Sequence, residues 1–174
     1  MKVVVSTRPA RPDDEPFLRR LFAITEQERL SLESLPAEDS RKLLRFEFGA
    51  HENHYATLPY EKSDTLLVVN DQPVGRMIVW QNQDEIRLAD MALLPEVRNR
   101  GLGTALIQSL QAAAQSSGRP LRLVVSRQNR ARNLYRRMAF VKREETLTHL
   151  LLEWRPVAGG NLSTAIPGLI SSVP

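Results

Sequence analysis

Residues 91–106 constrain the fold more than any other part of the chain. They read Met91-Ala92-Leu93-Leu94-Pro95-Glu96-Val97-Arg98-Asn99-Arg100-Gly101-Leu102-Gly103-Thr104-Ala105-Leu106. An apolar strand runs into a turn, and a glycine-containing turn opens directly into a helix. The first N–H groups of a helix have no internal partner and lie at its positive end. Such a start binds phosphate well. Gly101 and Gly103 carry no Cβ, so backbone amides can approach phosphate oxygens closely, and Arg98 and Arg100 add positive charge beside them. A lone Gly-x-Gly is more often a plain strand-to-helix turn. Two phosphate-binding loops fail outright: a Rossmann fingerprint needs a third glycine where Leu106 stands, and a Walker A loop needs Gly-Lys-Ser/Thr, which the chain lacks.

The surrounding pattern supplies the other elements. Residues 3–6 read as a strand. Pro12, Asp13, Asp14, Glu15 and Pro16 suit a first helical turn, and Phe17, Leu18, Leu21, Phe22 and Ile24 keep helical spacing to about Leu30. A second amphipathic helix is predicted over 38–54, then an irregular linker over 55–64. Strands at 65–69 and 74–81 flank a turn at 70–73 and form a hairpin. A strand over 85–94, a helix over 101–117, a strand over 121–125, a helix over 130–138 and strands at 140–142 and 146–154 follow. Gly118 and Pro120 stop the long helix. The expected fold class is mixed α/β (α+β): one largely antiparallel sheet of about seven strands flanked by about four helices.

The domain is expected over residues 1–155, with 156–174 as a flexible tail containing Pro, Gly and Ser. A chain of 174 residues suits one domain. With 42% hydrophobic residues and no apolar run near the roughly 20 residues that span a bilayer, a cytoplasmic protein without membrane contact is expected. The absence of cysteine excludes a disulfide scaffold, a Cys-ligated zinc site and a Cys nucleophile. Nine arginines lie between Arg98 and Arg137, but aromatic content is 6% and no stacking motif is interleaved with them, so nucleic acid is not an expected partner.

Arg98, Gly101 and Gly103 match the Gln/Arg-x-x-Gly-x-Gly/Ala motif of acyl-CoA binding, and the chain resembles the GNAT superfamily of N-acyltransferases. Asn129 to Phe140, with Leu134-Tyr135 and Ala139-Phe140, resembles the family's later Asn, Ala, Leu-Tyr, Gly-Phe segment. Arg8-Pro9-Ala10 followed by Asp13-Asp14 is similar to the family's approach to its first helix. The resemblance covers roughly residues 3–154. Two positions depart from it: Ala139 stands where the family has glycine, and Asn99 displaces the usual glycine after the first arginine.

The resemblance implies direct transfer of an acetyl group from acetyl-CoA to an amine, without an acyl-enzyme and without a metal. It implies a thioester beside Ala92 and Leu93, with the Leu93 N–H polarising the carbonyl. It further implies pyrophosphate on the amides of Asn99, Arg100, Gly101, Leu102, Gly103 and Thr104, pantetheine at Asn129, and Tyr135 as general acid. Asp90, Glu85 and Glu47 are candidates for the general base. Glu47, His51 and His54 share a helix face at a spacing that metal ligands can use, but three residues on one helix are weak grounds for a metal site. His54, Tyr55 and Tyr60 are expected near the acceptor pocket. The acceptor is expected to be a small-molecule amine. A homodimer is expected from the apolar run Leu147, Leu150, Leu151, Leu152 and the tail. A non-catalytic acyl-CoA-binding module is the alternative.

Overall fold

A computed structural model describes residues 5–30 and 35–157. Its elements are β1 (Val5–Pro9), a 3-10 turn (Pro12–Asp14), α1 (Glu15–Leu30), α2 (Ala37–Ala56), β2 (Glu61–Val69), β3 (Gln72–Gln81), β4 (Ile86–Leu93), a second 3-10 turn (Pro95–Val97), α3 (Leu102–Ser117), β5 (Leu121–Ser126), α4 (Arg132–Arg137), β6 (Val141–Glu145) and β7 (His149–Trp154). The sheet order is β1-β2-β3-β4-β5-β7-β6, antiparallel throughout except for the β4–β5 pair. The expected fold class is the observed one.

Local chemistry explains most boundaries. Arg8 grips Asp14 with two hydrogen bonds of 2.7 Å, and Asp14 also accepts from the Arg11 N–H at 2.8 Å, which fixes the approach to α1. Asn70 and Asp71 at φ 48° and 63° give the β2–β3 hairpin two left-handed central residues, as a type I′ turn requires. Gly118 ends α3 at φ 68°.

The expected linker at 55–64 is wrong at both ends. α2 continues to Ala56, and β2 begins at Glu61. Residues 61–64 are mostly exposed and carry no apolar alternation; they are held as a strand by the ladder to residues 78–81 of β3. Residues 158–174, most of the expected tail, and 1–4 lie outside the described residues.

Paired residues on neighbouring strands share a face, so the register sorts the sheet into two. Ile86 and Leu88, opposite Leu121 and Leu123, continue into Leu150, Leu152 and Trp154. This face is covered by Leu106, Ile107, Leu110 and Ala114 of α3, with Tyr135 of α4 in the same cluster. On the opposite face Leu66 packs with Leu18 of α1 and Phe48 of α2. The apolar run expected to make a dimer contact is spent largely inside the subunit: β7 lies between β5 and β6, Leu150 and Leu152 are buried, and Leu147 alone of the run stands 95% exposed.

Ala139, which replaces the family's glycine, sits at φ 61°. An L-residue there costs about 1–2 kcal/mol, part of which is offset in glycine by its greater freedom in the unfolded chain. Ala139→Gly is therefore expected to stabilise the protein by about 1 kcal/mol, raising Tm by about 2–4 °C. Calorimetric unfolding of the two proteins checks this; an unchanged or lower Tm counts against it.

Candidate active site

β4 and β5 are hydrogen-bonded over three pairs only, Ile86–Leu121, Arg87–Arg122 and Leu88–Leu123. β4 then runs on to Leu93, while β5 continues to Ser126 along β7. The two strands thus part, leaving a gap beside residues 89–93. Leu94 donates its N–H to Val74 of β3 at 2.9 Å. Because backbone polar groups alternate sides along a strand, Ala92 also faces β3, and the amide groups of Met91 and Leu93 face the gap. The Leu93 carbonyl is taken by the Arg98 guanidinium at 2.8 Å; its N–H lies on the gap side. Gly75 makes this register possible, since a Cβ there would lie 2.7 Å from the Ala92 carbonyl oxygen.

The glycine turn stands at the same end of β4. Asn99 adopts φ 59° and Gly101 φ 83°, and Gly101 serves as N-cap with no side-chain cap. The first intrahelical bond is Ala105 N–H to the Gly101 carbonyl, at 2.9 Å. The N–H groups of Leu102, Gly103 and Thr104 precede that bond and form an anion-binding helix start. Gly103 also has a packing use: a Cβ there would meet Leu134 Cδ2 at 3.1 Å, so its bareness lets α4 pack close to α3. Arg98 is less free than expected, because it also pairs with Glu28 of α1 at 2.6 Å. Arg100 has no ion-pair partner among the described residues.

Tyr135 is 6% exposed and packs edge-to-face on Phe140 at 5.6 Å. Among the described residues its hydroxyl has no hydrogen-bond partner. Burial pushes the phenol up to about 12, and the negative charge of Asp90 adds to the push. Asn129 accepts the Ala131 N–H at 2.8 Å, shaping the turn into α4; its amide nitrogen has no protein partner among the described residues.

The three candidate bases separate clearly. Glu85 is 5% exposed and bound by Arg87 and Arg122 at 2.8 and 2.7 Å, at the far end of β4 from the gap. Glu47 lies within electrostatic range of Arg29 of α1. Asp90 alone stands beside the gap, where His51 Nε2 approaches it at 3.4 Å. His51, considered in sequence only as a metal ligand, also meets Glu52 through Nδ1 at 3.1 Å. Glu52 in turn pairs with Arg76, which also holds Asp64. Tyr55 donates its hydroxyl to the Ala89 carbonyl at 3.0 Å. Tyr60 does not join them, because it stacks on Trp80 at 4.3 Å, and His54 is exposed. Helical spacing on α2 was the one available signal for His51 and Glu52, whereas Tyr55 belongs to the set that the resemblance put near the acceptor pocket.

Burial alone would pull the His51 imidazolium down, but hydrogen bonds to Asp90 and Glu52 outweigh it and hold the group at about 9, above its ordinary 6.5. A pKa raised by folding contributes stability that is fully present below the unfolded value and lost as pH rises through the folded one. Unfolding free energy is thus expected to fall between about pH 6.5 and pH 9. Urea unfolding across that range should show the decline in the native protein and a flatter profile in His51→Gln; equal slopes would remove His51 as the cause.

A family model described as "Acetyltransferase (GNAT) domain" matches residues 62–142, which span β2 through the glycine turn to the start of β6. Over these residues the chain is similar to the GNAT superfamily. By class it is an acetyltransferase. Solved structures share the fold of this GNAT domain. An N-acetyltransferase, PaiA, from Thermoplasma acidophilum in complex with coenzyme A aligns at TM-score 0.68 and 14% identity, covering 87% of this chain and 99% of its own. An acetyltransferase from Thermus thermophilus gives 0.65 and 22%, covering 89% and 99%. The ribosomal-protein-S18-alanine N-acetyltransferase of Escherichia coli gives 0.61 and 18%, covering 91% and 98%. No curated protein sequence matches the chain.

Proposed function

We propose that residues 1–155 work as an N-acetyltransferase that moves the acetyl group of acetyl-CoA directly onto a primary amine of a small molecule. The observation that carries this reading is the largely buried Tyr135, whose hydroxyl has no hydrogen-bond partner among the described residues and lies within electrostatic range of Asp90, on the same molecule as an uncapped glycine-rich helix start. The coenzyme A complex of the Thermoplasma protein supports the choice of donor. When bound, acetyl-CoA supplies an activated thioester.

The chain's own residues then have separable roles. The amides of Leu102, Gly103 and Thr104, with the backbone of 99–101 and the charge of Arg100, hold the pyrophosphate. The free amide nitrogen of Asn129 donates to the pantetheine arm. The Leu93 N–H, on the gap side of β4, stabilises negative charge on the thioester oxygen. Tyr135 gives its proton to the departing sulfur as the C–S bond breaks, and its raised pKa keeps that proton in place at neutral pH; the proton lost by the acceptor nitrogen as the C–N bond forms passes to Asp90, the candidate base beside the gap. Arg98 keeps the turn seated on β4 and α1.

The test is release of the free CoA thiol from acetyl-CoA in the presence of a panel of primary amines, with mass spectrometry of the product. The proposal predicts turnover and a product carrying one acetyl group on nitrogen. CoA binding without turnover on any amine would favour the non-catalytic acyl-CoA-binding module instead.

A further inference from the structure

β6 is an edge of the sheet, and among the described residues no strand lies on its outer side. All of its residues, Val141–Glu145, are exposed. An open edge offers unpaired N–H and C=O groups to other strands, and charged side chains are a usual guard against such pairing. Here the charges come in a particular order. Residues 142–145 read Lys142-Arg143-Glu144-Glu145, two cations followed by two anions. An identical strand laid antiparallel puts an anion opposite every cation.

The faces decide whether that match is geometrically possible. In a regular strand, residues three apart lie on opposite faces. Lys142 could then not meet residue 145 of an identical strand across a two-fold axis. β6 is not regular: Lys142 pairs with Leu152 and Glu144 with Leu151, which leaves Arg143 as an extra residue. This bulge puts Lys142 and Glu145 on one face, opposite the buried Leu152 and Leu150, where the two form an ion pair. Arg143 lies on the other face, reaching Glu153 at 2.7 Å. Glu144, opposite Leu151, shares that second face by alternation along β7. A two-fold axis perpendicular to the sheet, passing between Arg143 and Glu144, therefore sets Lys142 against the partner's Glu145 on one face. It sets Arg143 against the partner's Glu144 on the other.

The ends of the strand match as well. Val141 and Leu147 stand open at 57% and 95% exposure, and the same axis brings the partner's Leu147 beside Val141. Opposite charges directly across a strand pair stabilise it, and like charges oppose it. The pattern thus admits a second copy of the chain and repels most other strands.

We propose that β6 is a homodimer interface: two copies pair their β6 strands antiparallel about a two-fold axis, and their seven-stranded sheets become one continuous sheet. β7 separates this edge from β5 and the gap, so the proposal does not depend on the acetyl-transfer reading. The interface is short, and association is weak and concentration-dependent.

Sedimentation equilibrium of the full-length protein, up to about 1 mM chain so that even a weak pair associates, measures it. The mass should rise with concentration toward twice the 19.7 kDa of one chain. It should fall back as salt is raised, because exposed charge pairs are screened. Two single variants invert the charges. Lys142→Glu sets carboxylates opposite each other across the axis, and Glu145→Lys sets ammonium groups there. Each variant alone should associate less tightly by about tenfold or more. Mixed in equal amounts, the two should recover the dimer, because every cross-strand pair is again opposite in sign. Leu147→Asp, at a site outside the core, should also weaken association and decides the matter if a charge variant fails to fold. A native protein that stays monomeric at every concentration would overturn the proposal. So would a dimer that survives both charge variants unchanged, or a mixture no heavier than its components.

Discussion

Tyr135→Phe is expected to lower the rate of acetyl transfer by about 10²–10⁴, the range for removing a general acid. The phenol has no hydrogen-bond partner among the described residues, so nothing in the folded subunit loses a contact when the oxygen goes. The ring remains to pack on Phe140. Melting temperature and CoA affinity should therefore stay close to native. A tyrosine kept only for packing predicts full turnover in the variant, and measuring rate and melting on one preparation separates the two. Because Tyr135 is pushed up to about 12, its deprotonation cannot produce an alkaline fall in rate near neutrality; such a fall would have to come from another group.

The second large effect falls on stability. Arg76 is 5% exposed and binds Asp64 and Glu52 together, joining β2, β3 and α2. Burial alone would lower the guanidinium's pKa, but the two carboxylates more than offset this and raise it. Removing one side of a buried ion pair strands its partners and costs about 3–5 kcal/mol. Asp64 and Glu52 keep some contact with water, so Arg76→Met is expected near the bottom of that range, about 3 kcal/mol. Urea denaturation measures it. The loss should be recovered largely by also replacing Asp64 and Glu52 with apolar residues, because apolar replacements for a complete buried ionic group are often neutral or better. A near-native single variant would show that water already carries most of the charge.

Which parts were legible in the sequence follows from the range of the forces involved. The glycine turn, α3 and its stop at Gly118 are local signals, and they appeared where expected. The two departures from the family pattern are also local: Asn99 and Ala139 both adopt positive φ, the conformation for which glycine is the usual residue. Asparagine tolerates it well and alanine does not. The first half of β2 was not legible, because its polar residues are held by backbone pairing with β3 rather than by burial of their side chains. Nor was the candidate acceptor side. A bulge at Ala89, where the register of β3 and β4 slips, reverses the face that alternation assigns to Asp90, and the His51–Asp90 approach depends on how α2 crosses β4. Gly103 shows the same limit in reverse: its position was expected, but its contact with Leu134 required α4 to be in place.

The most direct test of the central proposal is equilibrium binding of CoA and acetyl-CoA, with NAD and ATP as controls. The proposed cleft should bind both CoA ligands and neither control. At a ligand concentration 100 times Kd, binding should stabilise the fold by about 2.7 kcal/mol, enough to raise Tm by roughly 5–10 °C. Gly103→Val, which pushes α3 and α4 apart at Leu134, should weaken that binding in a protein that still folds. Failure of CoA to bind, or equal binding of NAD and ATP, would contradict the assignment of the glycine turn and of the cleft built on it.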